Sequence, residues 1–227
     1  MHYFALAADY DGTLALDGIV STATVEKLLQ LKQSGRKLIL VTGRHLGDLL
    51  SVFPQATMFD GIVAENGALL YDPNAQTERL LAVPPSAQFI PALRAKNVPV
   101  APGKVVVATP SAYEATVRQA IQELDLDLEV ILNKSSLMIL PAGIDKATGL
   151  QIALGELDLA AHQVVAVGDA ENDQAMFSLC GCAVAVSNAL PSVKEHANLV
   201  TAADHGEGVC ELIDLWLQDE LKLVSDK

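Results

Sequence analysis

Residues 4–18 read FALAADYDGTLALDG: an apolar run that stops abruptly at Asp9, Tyr10 and Asp11 and continues through Gly12-Thr13. The unbroken apolar run over YFALAAD predicts a buried strand. Two carboxylates one residue apart at its end repel each other and call for a counter-charge. Everything else in the chain is read outward from that strand end.

The same pattern recurs twice. KLILVTGR (37–44) is a second apolar strand, ending in Thr42, Gly43 and Arg44, and QVVAVGD (163–169) is a third, ending in Asp169. Helical patterns lie between them. STATVEKLLQLKQSG (21–35) has Ser21 or Thr22 as N-cap, Gly35 as stop and an apolar stripe read as core packing. HLGDLLSVF (45–53) is a short helix, and GIVAENGALLYD (61–72) is strand, turn and strand around Asn66-Gly67. Further on, Lys146–Leu154 is a helix and ENDQAMFSLC (171–180) another. CAVAVSNA (182–189) is a strand, followed by a helix from Pro191, the short strand NLVT (198–201) and a last helix from Glu207 to about Leu223. Strands alternating with helices predict an α/β fold, a Rossmann-like parallel sheet covered by helices. In such a sheet the ligand crevice lies at the carboxyl ends of the strands. The three polar strand ends therefore converge on one site.

The alternation breaks at Val83-Pro84-Pro85 and resumes after Pro141. Between them the pattern predicts a helix (Ser86–Asn97), a strand (Lys104–Thr109), a helix (Ser111–Leu124) and two adjacent strands, LEVILN and SLMIL. This is an inserted α+β module of about sixty residues, small for a domain. The core is then discontinuous, 1–82 plus 142–227, with 83–141 as the insert.

Composition bounds the partners. A net charge of -13 over 227 residues excludes a general nucleic-acid surface, which needs clustered Lys and Arg. No run approaches the roughly 18 apolar residues of a membrane span, and MHYFALAADYDG is no signal peptide. The three cysteines, Cys180, Cys182 and Cys210, form neither a disulfide framework nor a zinc pattern and are read as small buried residues. A cytoplasmic protein with a small-molecule partner is expected, its oligomeric state open.

Four carboxylates, Asp9, Asp11, Asp169 and Asp173, in one crevice suit a hard cation held by oxygen alone, and Mg²⁺ fits best because it binds few carboxylates together with phosphate. A carboxylate can act as a nucleophile and form an acyl-phosphate. A second one two residues on can exchange protons with the leaving oxygen and with water. Thr42 offers a hydroxyl and Gly43 an unobstructed N–H to a phosphoryl oxygen. Lys146, opening a helix after the insert, can neutralise the phosphate or the nucleophile.

Taken together, DYDGTL, VTGR, GIDKATGL and VGDAENDQAM resemble the four ordered motifs of the haloacid dehalogenase-like phosphohydrolase superfamily. AENGA (64–68) and VAVSNA (184–189) further resemble its Cof-type branch, in which a cap lies between the second and third motifs, as residues 83–141 do here. The order of elements in the insert looks closer to that of sucrose-phosphate, mannosyl-phosphoglycerate and archaeal-type phosphoglycolate phosphatases. The resemblance implies Asp9 as nucleophile and Asp11 as general acid/base with a carbonyl on Mg²⁺. It implies Asp169 on the metal and Asp173 in support. Thr42, Gly43 and Lys146 would hold the phosphoryl group, with Arg44, Asn66 and Asn172 as substrate or motif-supporting residues. Glu65 reads either as motif support or as solvated, and His45 as structural. Tyr10, where many relatives carry Leu, Met or Phe, has no assigned task. The implied activity is Mg²⁺-dependent hydrolysis of a small phosphorylated metabolite, phosphoglycolate or a sugar phosphate. The alternatives are phosphotransfer of the phosphomannomutase kind, which rearranges its substrate without releasing phosphate, and a non-catalytic phosphometabolite-binding domain.

Overall fold

The computed structural model describes residues 2–133, 135–219 and 221. Lys134, one of the basic residues of the insert, and Leu223 lie outside them. The chain runs β1 (Ala5–Ala8), α1 (Thr22–Gln33), β2 (Lys37–Val41), α2 (Leu46–Val52), β3 (Gly61–Ala64), β4 (Leu69–Asp72) and β5 (Thr77–Leu80). It continues with α3 (Phe89–Ala95), β6 (Ala101–Pro102), β7 (Val107–Pro110), α4 (Glu114–Glu123), β8 (Leu128–Asn133) and β9 (Ser136–Pro141). It then closes with α5 (Lys146–Glu156), β10 (Val164–Gly168), α6 (Gln174–Leu179), β11 (Cys182–Ala185), α7 (Pro191–Lys194), β12 (Leu199–Val200) and α8 (His205–Leu217).

The main sheet has the order β12-β11-β10-β1-β2-β3-β4-β5. Its first six members are parallel, and β4 and β5 turn back antiparallel. Every residue of β1 and β10 is buried, because helices cover both faces; this is why these strands read as apolar runs without alternation. The chain steps outward from β1 to β2 on one side and returns to β10 on the other. The switch point lies between β1 and β10, where an open α/β sheet leaves a crevice. Asp9 stands on its rim, one residue past β1.

The second sheet, β6-β7-β9-β8, is antiparallel. On β9, Leu137 and Ile139 pack with Phe89, Leu93 and Val117 of α3 and α4, whereas Met138 and Leu140 pack with Ala68 of the main body and with Val105 and Val106 of the β6–β7 hairpin. The period-two alternation thus gives this sheet one face for its own helices and one for the parallel core. We refer to it as the cap.

Local signals account for the boundaries. Ser21 caps α1, its hydroxyl accepting from Thr24 N at 3.1 Å. Asp145 and Thr148 form a reciprocal capping box that starts α5 at Lys146. Three expectations shift. The strand expected from Lys104 begins only at Val107, because the amides of residues 104–106 are directed to a side chain of the core rather than to a strand. β5, exposed along its whole length with the polar sequence TERL, carries no apolar signal and is missing from the sequence reading. The last helix ends at Leu217 with Gln218 as cap, short of the expected Leu223.

Candidate active site

The loop after β1 is built by backbone bonds that leave the two aspartates pointing apart. Asp9 N donates to Val167 O at 3.0 Å and so prolongs the β1–β10 ladder. The Tyr10 carbonyl accepts from the amides of Thr13, Leu14 and Ala15. The Gly12 carbonyl accepts from Asn188 Nδ2 at 2.7 Å and from His205 Nδ1 at 2.8 Å, which ties the loop to the region after β11 and to α8. Asn188 falls within the VAVSNA motif, which by itself assigns it no role, and His205 belongs to none of the motifs. Tyr10 is fully buried, donates its hydroxyl to Gly18 O at 2.9 Å and packs on Phe53. Its ring lies 5.2 Å from the Arg44 guanidinium, a cation–π contact that supports the cation from behind.

Asp9, Asp169 and Asp173 are all buried, with carboxylate oxygens within 4.8 Å of one another. Lys146 Nζ bridges Asp9 Oδ1 and Asp173 Oδ1 at 2.5 Å each and is itself only 1% exposed. The other oxygen of Asp173 accepts the amides of Asp169 and Ala170 at 2.8 and 3.0 Å. Both Asp173 oxygens are therefore engaged in holding Lys146 and the Asp169 loop. Thr13 donates its hydroxyl to Asp169 Oδ1 at 3.2 Å. Burial pushes the Asp9 carboxyl up to about 8; Lys146 opposes this, and Asp173 and Asp169 add to it. Burial likewise disfavours charge on Lys146, but Asp173 and Asp9 outweigh it and hold the ammonium above the ordinary lysine range. With all three carboxylates ionised against one ammonium, two negative charges would remain, and the donors are all oxygen. This set fits a hard divalent cation, with Asp9 and Asp169 as the residues placed to hold it.

Lys146 reaches this spot because α5 sits unusually close to the turn after β3. A methyl group on Gly149 would lie 2.6 Å from Gly67 Cα and from Val63 Cγ1. Gly149→Ala is therefore expected to lift α5 and carry Lys146 away from Asp9. The stability loss should be about 1–3 kcal/mol, as for other overpacked sites, and is read by urea unfolding.

Asp11 is not part of the buried group. Its carboxylate faces the crevice and is gripped by Arg44, Nε and Nη2 each donating at 2.7 Å. Arg44 also donates to Asp48 at 2.8 Å. The two-pronged geometry orients Asp11 more tightly than a lysine would. Thr42 is buried, its hydroxyl accepting from Arg44 N at 3.1 Å, while Gly43 lines the crevice. Asn172 Nδ2 donates to Asn66 Oδ1 at 3.0 Å, which leaves Asn66 Nδ2 and Asn172 Oδ1 as buried, unpaired polar atoms. The crevice encloses about 480 Å³, with Asp9, Asp11, Arg44 and His45 on the core side and Ala108, Ser135, Ser136 and Met138 on the cap side. The cysteines lie elsewhere: burial pushes the Cys180 thiol up to about 12 and that of Cys182 up to about 11, so neither is an available thiolate at neutral pH.

This arrangement has known counterparts. The sequence pattern of the haloacid dehalogenase-like hydrolases matches residues 6–100 and 91–213. Two curated relatives are each 30% identical: the phosphoglycolate phosphatase of Methanothermobacter thermautotrophicus, over 92% of this chain and 96% of its own, and phosphoglycolate phosphatase 2 of Saccharolobus solfataricus, over 92% and 90%. Among solved structures, a haloacid dehalogenase-like hydrolase of Bacteroides thetaiotaomicron superposes with a TM-score of 0.81 at 20% identity, covering 93% of this chain and 98% of that one. A subclass IIB sugar phosphatase superposes at 0.76 with 18% identity, covering 93% and 98%. The chain belongs to the haloacid dehalogenase-like hydrolase family. It is an enzyme of that family's phosphatase kind, a phosphoric monoester hydrolase with a mostly parallel core and an antiparallel cap.

Proposed function

We propose that this protein is a Mg²⁺-dependent phosphatase that hydrolyses phosphoglycolate, or a phosphate ester of similar size, through an aspartyl-phosphate on Asp9. The observation that carries the reading is the grouping of Asp9 with Lys146 and Asp169, Asp9 itself lining a crevice whose other wall is the cap. In the first step an Asp9 oxygen forms a bond to phosphorus as the ester P–O bond breaks, and Asp11 gives its proton to the departing alkoxide. In the second, Asp11 takes a proton from water, the water oxygen bonds to phosphorus and the Asp9–phosphorus bond breaks. Arg44 orients the ionised Asp11 carboxylate, and Asp11 gives up one of these two bonds when it carries the proton. Gly43 N–H and Lys146 face the phosphoryl oxygens, and Thr42 shapes the turn that presents Gly43. Asn66 and Asn172 keep one donor and one acceptor for the same region. The cation, held by Asp9 and Asp169 with Asp173 in support, supplies charge neutralisation for the phosphoryl group.

Phosphoglycolate leads because the relatives bearing that name align over nearly their whole length. The Ser135 and Ser136 hydroxyls on the roof favour a hydroxylated organic part as the second choice, a sugar phosphate. In this reading residues 83–141 are the cap and 1–82 with 142–227 the core. No helix among the described residues is long and apolar enough to cross a membrane. Three free cysteines and the charge of -13 support a cytoplasmic enzyme that does not bind nucleic acid.

The test is phosphate release from a panel of phosphoglycolate and hexose phosphates. Release from phosphoglycolate at least about tenfold more efficient than from hexose phosphates is expected. Isomerised hexose phosphate without free phosphate would instead establish the mutase alternative. Chelation with EDTA should abolish release and Mg²⁺ restore it. At about one hundred times its dissociation constant Mg²⁺ should also stabilise the fold by about 2.7 kcal/mol, read as a rise in melting temperature.

A further inference from the structure

Glu65 is a core residue buried to 1% exposure, yet its carboxylate is spent entirely on the cap. Oε1 accepts from Lys104 N at 2.9 Å, and Oε2 accepts from Val105 N at 2.8 Å and Val106 N at 2.9 Å. These three amides form the tip of the β6–β7 hairpin, closed by Gly103 N donating to Val106 O at 2.8 Å. Three amide dipoles aimed at one carboxylate make an anion cradle in which the anion is a side chain of the core.

The backbone beneath Glu65 is unusual. Glu65 and Asn66 both take positive φ, 50° and 53°, and Gly67 follows at 105°. Two consecutive non-glycine residues in the left-handed region are strained and persist only where surrounding contacts over-determine them. Here the contacts lie on both sides. The bend sends Glu65 to the cap, while Asn66 pairs with Asn172 and its amide donates to Thr42 O at 2.9 Å. From the cap side, Gly103 fits tightly: a methyl there would lie 2.6 Å from His45 Cδ2 and 2.7 Å from the Glu65 carboxyl. Val105 and Val106 then pack with Ala68, Met138 and Leu140.

We propose that Glu65 is a positioning residue that pins the cap in register over the nucleophile. The two chain connections and the apolar packing of Val105, Val106, Met138 and Leu140 on Ala68 join cap and core without a directional bond. The Glu65 cradle adds a directional polar anchor at a further point, the hairpin tip that leads directly into β7. The same sheet carries Ala108 on β7 and Ser136 and Met138 on β9, so the pin sets how these residues meet the organic part of the substrate. Glu65 touches neither the phosphoryl group nor the cation site, and its role is in selecting substrate rather than in chemistry.

Glu65→Gln tests this, since the amide places an NH₂ against at least one of the three N–H donors. Amide hydrogen exchange should show protection at residues 104–106 falling by about tenfold or more, with β1 and β10 unchanged. The kinetic readout rests on the proposed phosphatase reaction. Preference for phosphoglycolate over p-nitrophenyl phosphate should fall by about tenfold, mostly through KM, with turnover of p-nitrophenyl phosphate within about threefold of the parent. Gly103→Ala, which keeps Glu65 but drives the hairpin tip off its carboxyl and off His45, should reproduce both effects and stands in if Glu65→Gln does not fold. Unchanged protection at 104–106 in both variants overturns the pin, even if neither substrate is hydrolysed and the phosphatase reading fails. Equal losses of turnover on both substrates overturn the selective role.

Discussion

Asp9→Asn should lower phosphate release by about 10⁴-fold or more, because an amide does not replace a carboxylate as nucleophile and the remaining site offers no second one at the same place. The check is a steady-state assay with a quench-flow search for phosphoenzyme, which should be found in the parent and be missing in the variant. Near-normal turnover would remove the covalent mechanism. The substitution has a second expected effect, on stability. In the metal-free protein the folded state holds Asp9 protonated to about pH 8, whereas the unfolded chain releases that proton near the model-peptide value of 3.8. Between those values the folded state binds the extra proton. Stability of the metal-free parent therefore falls as pH rises from about 4 to 8 and the Asp9 contribution is gone above that. Asp9→Asn has no such proton, so its melting temperature should lack that component of the decline. Parallel melting curves for the two proteins in EDTA across this range would overturn the assignment.

Lys146→Met should be the most damaging change to the fold. It leaves Asp9 and Asp173 buried without the ammonium that now bonds to both at 2.5 Å. Removing one partner of a buried ionic group typically destabilises by about 3–5 kcal/mol, since the remaining charges lose their compensation. Urea unfolding reads this directly. Activity should fall by at least about 10²-fold, because the variant also loses positive charge beside the phosphoryl position. Lys146→Arg keeps the charge and should recover stability more than activity: the larger planar guanidinium places its donors differently from the compact ammonium. A methionine variant as stable as the parent would show that the cluster does not depend on Lys146.

These two effects come from the part of the protein that is most legible in the sequence. Asp9, Asp169 and Lys146 are far apart in the chain, but the first two end apolar runs and the third begins a capped helix. A parallel sheet puts the carboxyl ends of its strands along one edge, so knowing that these segments are strands is enough to bring Asp9 and Asp169 together. Asp11 and Arg44 show where that logic stops. Both end strands and both face the crevice, but whether Arg44 meets substrate or Asp11 depends on side-chain direction, and the structure pairs it with Asp11. Asp173 is similar: its spacing from Asp169 predicts proximity, and only the structure shows its bonds to Lys146 and to two amides.

The sequence by itself determined the α/β alternation, the place of the insert, the strand ends that bear the acids and the family they resemble. Each is written in local periodicity or in residue type at short spacing. Tertiary structure decided the tasks of Tyr10, Glu65, Asn188 and His205. Their partners, apart from the nearby Gly18, come from segments tens of residues or more away: Arg44 over Tyr10, the 104–106 amides on Glu65, the Gly12 carbonyl between Asn188 and His205. Tyr10, Glu65 and Asn188 fall within motifs, but no local pattern names the distant groups they meet. Such meetings exist only once the sheet and cap have packed and buried polar groups must find partners across the fold.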